Sequence, residues 1–313
     1  MRRPDVTTVA GHPPRVLRSW YISDAIVPEP LTFKRLLPPG APVTAEEIVA
    51  SFGLDALAAS SPPGGREHPY LVANMVSTAD GHATLGGRSA PLSSRADREL
   101  FHGLRTAVDA VMAGAGTVRV ERYGRIVPDE SRRRRRREHG LTEEPLACIV
   151  SGRLALEADI PLLADPAAKV VILTSSAASL PASAAEVHYV RAERDGLLDL
   201  PAALAELRER FAVRMLLCEG GPHLIAQLLA AGLVDELFLS LSPQLVGGED
   251  LDGNPAHPEA LRILAGPELS PPVELELLSV LEHDSHLFLR YGVRDSAPER
   301  VSRETMPNSS LAR

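Results

Sequence analysis

The stretch LLCEGGPHLIAQLLAAGLVDELFLSLS, residues 216–242, runs from strand to glycine turn to helix to strand with no filler between them. Met215, Leu216, Leu217 and Cys218 form a short apolar strand, and Glu219-Gly220-Gly221-Pro222 turns sharply with Pro222 where a helix takes its first residue. Leu224, Ile225, Leu228 and Leu229 recur at helical spacing, and Gly232 stands where a C-terminal glycine closes a helix. A strand pattern resumes over residues 235–241. Paired glycines between a strand and a helix N-terminus turn bare backbone N–H groups toward the sheet edge, an arrangement suited to phosphate. Many α/β proteins make the same turn for packing alone, so this stretch by itself fixes fold class and leaves function open.

Working outward, the same grammar repeats. Residues 70–77 (YLVANMVS) read as a strand buried on both faces, ending in Asp80-Gly81. Asp80 either organises that turn or faces a ligand at the strand's C-terminal edge, where open α/β sheets bind. Ser93 or Ser94 caps a helix reaching Ala107, with Leu100, Phe101 and Leu104 inward and Arg105 in its last turn. Residues 109–113 are a strand that enters a second glycine turn, Gly114-Ala115-Gly116-Thr117-Val118-Arg119. Two such turns in one unit point to an extended ligand carrying a pyrophosphate or several phosphates. Strands at 146–151 and 169–174 end in Ser151-Gly152-Arg153 and Thr174-Ser175-Ser176, hydroxyls and an arginine that suit a ribose bearing a 2′-phosphate. A short strand at 187–190 and a helix at 199–211 lead into the opening stretch, and strands at 273–281 and 286–291 form an antiparallel hairpin about Asp284-Ser285.

The rest of the chain frames this unit. Residues 1–65 read as an extension packed on the main domain, with one helix at 45–59 entered through Thr44 and Glu47 and a Ser-Pro-Gly linker after it. Residues 66–293 are the main domain, and 294–313 read as a disordered tail. With 313 residues and 44% hydrophobic content the chain is soluble and globular. It has no apolar run long enough to span a bilayer and no signal core, so a cytoplasmic location is expected. Cys148 and Cys218 read as buried, reduced thiols.

Charge and inventory exclude several chemistries. A net charge of −8 argues against general nucleic-acid affinity, and the six arginines at 132–137, flanked by Glu130, Glu138, Glu143 and Glu144, read as a solvated loop or helix. Lys34 and Lys169 are the only lysines, and neither follows a glycine-rich loop, which excludes a P-loop. No nucleophile elbow, metal-binding His pair, zinc-deaminase cysteine pair or recognisable catalytic carboxylate pair is present. His223 is the one histidine beside a motif, at a helix start. A site rich in anion-binding backbone and poor in acids, bases and nucleophiles suits a reaction whose reactivity comes from a cofactor, and hydride transfer fits best.

Residues 77–81, the helix ending Leu104-Arg105, residues 114–119, and Glu219-Gly220-Gly221-Pro222 with residues 232–236 together resemble the pyrimidine reductases of riboflavin biosynthesis, over residues 69–291. The resemblance implies a dihydrofolate-reductase-like α/β fold: a mixed, mostly parallel sheet with helices on both faces and a C-terminal antiparallel hairpin. It implies NADPH-dependent reduction of the ribosyl side chain of 5-amino-6-(5-phosphoribosylamino)uracil, by hydride delivery to C1′, in a homodimer. Carried over by position, Ser77, Gly114, Gly116, Thr117, Glu121, Ser151, Arg153, Gly220, Gly221, Pro222, His223 and Leu224 would bind the cofactor. Ser89 and Arg105 would bind substrate, Arg105 through the phosphate, while Asp80 and Glu219 would act as the catalytic carboxylates. The chain departs from the family at Asn74, often lysine, near Pro91, often tryptophan, and at Glu121-Arg122-Tyr123, where two aspartates and a proline are common. Two alternatives stay open: a related reductase acting on another heterocycle, and a non-enzymatic anion- or nucleic-acid-binding protein.

Overall fold

The structure, a computed structural model, describes residues 31–59, 65–181, 183–247 and 261–294. The proline-rich lead, most of the linker and all but the first residue of the expected tail lie outside the described residues.

In chain order the strands and helices are β1 (Thr32–Leu37), β2 (Gly40–Thr44), α1 (Ala45–Ser51), α2 (Leu54–Ala59), β3 (Tyr70–Thr78), α3 (Arg95–Thr106), β4 (Ala110–Gly114), α4 (Ala115–Val120) and α5 (Glu130–Glu138). There follow β5 (Leu146–Val150), α6 (Pro161–Ala164), β6 (Lys169–Thr174), β7 (Glu186–Arg191), the short pair β8 (Glu193–Arg194) and β9 (Leu197–Leu198), and α7 (Leu200–Phe211). The chain then forms β10 (Met215–Cys218), α8 (Pro222–Ala230), β11 (Glu236–Ser242), β12 (Leu275–His283) and β13 (His286–Val293). Among the described residues, 11 strands join one sheet in the order β2-β1-β12-β13-β11-β3-β10-β4-β5-β6-β7.

From β11 to β7 every neighbouring pair is parallel, and from β11 to β2 every pair is antiparallel. Side chains of β3 alternate between two cores. Tyr70 and Val72 pack with α1, α2 and α3 on one face, while Leu71, Ala73 and Met75 pack with α7 and α8 on the other. Covering both faces is what makes the parallel strands uninterrupted apolar runs, since neither side of the pleat meets water. The mixed α/β architecture, with helices on both faces and a C-terminal hairpin, is as expected. Asp284 and Ser285 both take positive φ, 47° and 64°, at the tip of that hairpin, the twist such a two-residue turn requires.

Two local differences have simple causes. The capping box of Thr44 and Glu47 forms, but the helix expected over 45–59 is two helices, broken at Gly53 with φ +59°. Residues 32–44, expected only as an appendage, supply two strands that extend the sheet through β12. Phe33 is the one buried residue of β1, so this strand, although paired on both sides by β2 and β12, leaves almost no apolar alternation to read. The arginine run is helix α5, capped by Asp129. No helix among the described residues is long and apolar enough to cross a membrane.

Candidate active site

A cleft of about 1640 Å3 opens where β4, β5, β6 and β10 end at their C-terminal edges. Its wall includes the glycine turn after β4, the turn after β10, the face of α3 carrying Arg98, Phe101, His102 and Arg105, and Gly152, Arg153 and Ser175 beyond β5 and β6. The two glycine turns, 106 positions apart at Gly114 and Gly220, are bonded to each other: the Gly114 amide donates to the Gly220 carbonyl at 2.8 Å. Gly220 sits at φ +93° against the Met75 sulfur, and a Cβ at Gly221 would meet Thr117 Oγ1 at 2.9 Å. Contact this close is why glycine stands at 221. α8 begins on Gly221 without a side-chain cap, and Pro222 has no N–H to give. The Ile225 amide bonds back to Gly221, so the amides of His223 and Leu224 occupy the first turn, where helices leave N–H groups for an anion.

On the wall between α3 and β10 lies a buried three-residue group. Arg105 Nε and Nη2 donate to Glu219 Oε1 and Oε2, each at 2.7 Å, and Arg105 Nη1 donates to the Ile126 carbonyl at 2.9 Å. The Tyr123 hydroxyl donates to Glu219 Oε2 at 2.7 Å. The guanidinium lies 4.2 Å from the Phe101 ring centre and 5.5 Å from that of Tyr123. Burial opposes the charge on Arg105, and the Glu219 carboxylate outweighs it, holding the guanidinium above its ordinary range. Burial and then Glu219 push the Tyr123 hydroxyl well up, so it stays a neutral donor. Arg105, expected to take a substrate phosphate, is therefore placed as the partner of Glu219.

Ser89 and Glu121, read from sequence as substrate and cofactor residues, are bonded together: the Ser89 amide and hydroxyl both donate to Glu121 Oε1, at 2.8 and 2.9 Å. Both line the cleft, as do Gly114, Gly116, Thr117, Arg153, Gly220, Gly221, Pro222, His223 and Leu224. Asp80, Ser77 and Ser151 are not among the lining residues. Asp80 accepts from the Thr78 hydroxyl and from the amides of Val246 and Gly247 at 3.0 and 2.7 Å. The Thr78 and Gly247 bonds lead in holding its carboxyl far below the usual range, which is the turn-organising arrangement. Ser77 donates to the Thr78 carbonyl and is 1% exposed. Ser151 is buried, its amide bonded to Leu173.

Tyr123, His102 and Arg98 are lining residues that reading the sequence did not single out, and Phe101, expected inward with Leu100 and Leu104, lines the cleft instead. The ERY departure marked Tyr123's position, but nothing local tells that its hydroxyl reaches a carboxylate 96 residues away. Burial, then Arg105, lowers the pKa of His102. Cys148 and Cys218 are free and buried, and burial pushes the Cys218 thiol up to about 12.

The arginine run is a clamp behind this wall. Arg136 is fully buried, its Nη1 donating to the carbonyls of Arg105, Thr106 and Val108, at 2.9, 3.2 and 2.8 Å. It ties down the C-terminal end of α3, the helix that carries Arg105. Burial pulls its pKa down to about 10, against Asp109 and Glu144. Arg132, Arg133, Arg135 and Arg137 pair with Glu99, Glu130, Glu46 and Glu143.

Comparison with known proteins accords with this geometry. The family model described as RibD C-terminal domain matches residues 69–279. A 2,5-diamino-6-ribosylamino-4(3H)-pyrimidinone 5′-phosphate reductase of Archaeoglobus fulgidus is 30% identical over 187 residues, 58% of this chain and 84% of that protein. A protein of the same name from Methanothermobacter thermautotrophicus is 29% identical over 58% of this chain and 81% of its own length. The crystal structure of a pyrimidine reductase-like protein from Corynebacterium diphtheriae superposes with a TM-score of 0.62 at 23% identity, covering 80% of this chain and 99% of that one. The chain belongs to the RibD C-terminal domain family and is an oxidoreductase of that type.

Proposed function

We propose that this member of the RibD C-terminal domain family is an NADPH-dependent reductase that converts the ribosyl side chain of 5-amino-6-(5-phosphoribosylamino)uracil to the ribityl form, in the cytoplasm, on the way to riboflavin. The observation that carries the reading is the bonded pair of glycine turns at the cleft, Gly114 to Gly220, with the uncapped N-terminus of α8 beside it. A second reading differs only in the pyrimidine: the relatives named above are called reductases of the 2,5-diamino compound, which favours that substrate before deamination. Neither reading needs Asp80 as a catalytic group.

The residues present fit a dinucleotide. Gly221 leaves no room for a Cβ against Thr117, so the backbone itself forms the cradle. Gly220, Gly221, Pro222, His223 and Leu224 would hold the pyrophosphate, Gly114, Gly116, Thr117 and Glu121 the nicotinamide half, and Arg153 the 2′-phosphate. When bound, NADPH supplies the hydride. Glu219 is fixed by Arg105 and Tyr123, and its Oε1, with one protein donor, keeps acceptor capacity for a substrate hydroxyl or amine. Ser89, bonded to Glu121 through its amide and hydroxyl, would tie the substrate side of the cleft to the cofactor side.

A homodimer is part of the proposal. Leu239, Leu289, Val280 and Leu37 lie directly opposite one another across β11, β13, β12 and β1. Leu37 and, one step along, Leu277 are 40% and 43% exposed, an apolar face a second copy would cover. The test is consumption of NADPH, followed at its own absorbance band, with the uracil and with the diaminopyrimidinone as substrates. Turnover of the uracil supports the first reading and turnover of the diamino compound alone the second. Oxidation of NADPH with neither sinks both.

A further inference from the structure

Six arginines stand on the wall of the cleft: Arg98, Arg105, Arg122, Arg125, Arg153 and Arg194. Four are already neutralised. Arg105 is held by Glu219, Arg122 by Asp159 at 3.1 Å, Arg125 by Glu144 at 2.8 Å and Arg194 by Asp199 at 2.7 Å. Among the described residues, the cleft arginines without a carboxylate partner are Arg98 and Arg153. They lie on different elements, Arg153 beyond β5 and Arg98 on α3, so two separate positions on the wall keep a net positive charge.

The surroundings of Arg98 explain why it stays unpaired. Its Nη1 donates to the Ser93 carbonyl at 2.9 Å, which pins the guanidinium and leaves the rest of its donors to the cleft. Asp97, the adjacent carboxylate, accepts from the Ser93 hydroxyl and from no arginine. Glu99, on the other side, is taken by Arg132 at 2.6 Å. One turn further along α3 come Phe101 and His102, and two turns further Arg105, none of them anionic. A guanidinium fixed by one neutral acceptor, with nearby carboxylates occupied elsewhere, is arranged for an anion brought from outside.

We infer that Arg98 takes the phosphate of the substrate, since Arg105 on the same helix already gives two of its N–H groups to Glu219. This rests on the reading of a phosphorylated ribosyl substrate and names the residue that would read the phosphate. Arg98 is exposed, so replacing it leaves the core intact.

Titration of ribose 5-phosphate, read by calorimetry on the full chain, tests the inference without requiring turnover. Arg98→Ala should weaken its binding about 10- to 100-fold, the worth of one or two charge-assisted hydrogen bonds. Arg98→Lys should restore part of the loss. Arg153→Ala should leave ribose 5-phosphate within twofold while weakening NADPH, and Arg98→Ala should do the reverse. Wild-type protein that does not bind ribose 5-phosphate, or an Arg98→Ala variant that binds it equally well, overturns the inference. Binding through Arg98 in a protein that turns over neither pyrimidine retains it and rejects the proposed reaction instead.

Discussion

At Gly221 a single carbon decides the matter. A Cβ 2.9 Å from Thr117 Oγ1 forces the threonine side chain or the turn to move, so Gly221→Ala should fold yet bind NADPH at least tenfold more weakly, as calorimetry would show. Arg105 and Glu219 depend on each other in a different way. Removing Arg105 leaves a carboxylate whose side chain is 2% exposed without its ion, which costs about 3–5 kcal/mol. Urea denaturation of Arg105→Ala should show a loss of that order. If the loss is under about 1 kcal/mol, the pair is not buried as described. Adding Glu219→Gln to Arg105→Ala should recover part of the stability, because an amide costs less to bury unpaired than a carboxylate. None of this pairing was legible in advance. The glycines and Glu219 stand out as letters, but Arg105 lies 114 residues from its partner, and residue type alone does not say whether an arginine holds a ligand or a neighbour.

Helix α3 depends on α5 at its end. Arg136 donates to carbonyls that no further turn of α3 reaches, so Arg136→Ala should destabilise the fold by about 3 kcal/mol. Hydrogen exchange should quicken first in the last turn of α3. Arg134, exposed and paired with Glu138 at 3.7 Å, should cost close to nothing when replaced. Helix α3 also carries a pH response. His102 is lowered from 6.5 by burial and then by Arg105, so the unfolded chain binds its proton more readily than the folded one. Its contribution is full above the unfolded pKa of 6.5 and is lost as pH falls through the lower folded value. Thermal stability should therefore drop between pH 7.5 and 5.5, about the span in which histidine charges, and His102→Gln should flatten that drop. An unchanged slope in the variant would assign the acid loss to other groups. Elements around the opening stretch were readable because strands covered on both faces and helices capped by Ser94 or Asp199 carry strong local signals. Strands β1 and β2 were not, since a pair of strands that buries Phe33 alone has no period to detect.

For the whole molecule, the outer face of the antiparallel strands is the open question that assembly answers. Leu277→Arg with Leu37→Arg should convert a dimer to a monomer in sedimentation without reducing the helical signal in circular dichroism. Wild-type protein that sediments as a monomer removes the dimer from the proposal. Fold class was legible because each local pattern agreed with one sheet. The identity of the pyrimidine was not, because Asn74, Pro91 and Glu121-Arg122-Tyr123 depart from the residues that the resemblance would carry over. The position of β12 has a practical bearing on anyone cloning this gene. The family match spans residues 69–279, yet β12 runs to His283, its partner β13 lies wholly beyond, and its other neighbour β1 lies wholly before. Expressing only the recognisable stretch would cut one strand in the middle and strip both of its partners, leaving raw backbone edges that seek other chains. The family match marks out a recognisable stretch, while the smallest piece that can be made in a test tube is set by who hydrogen-bonds to whom.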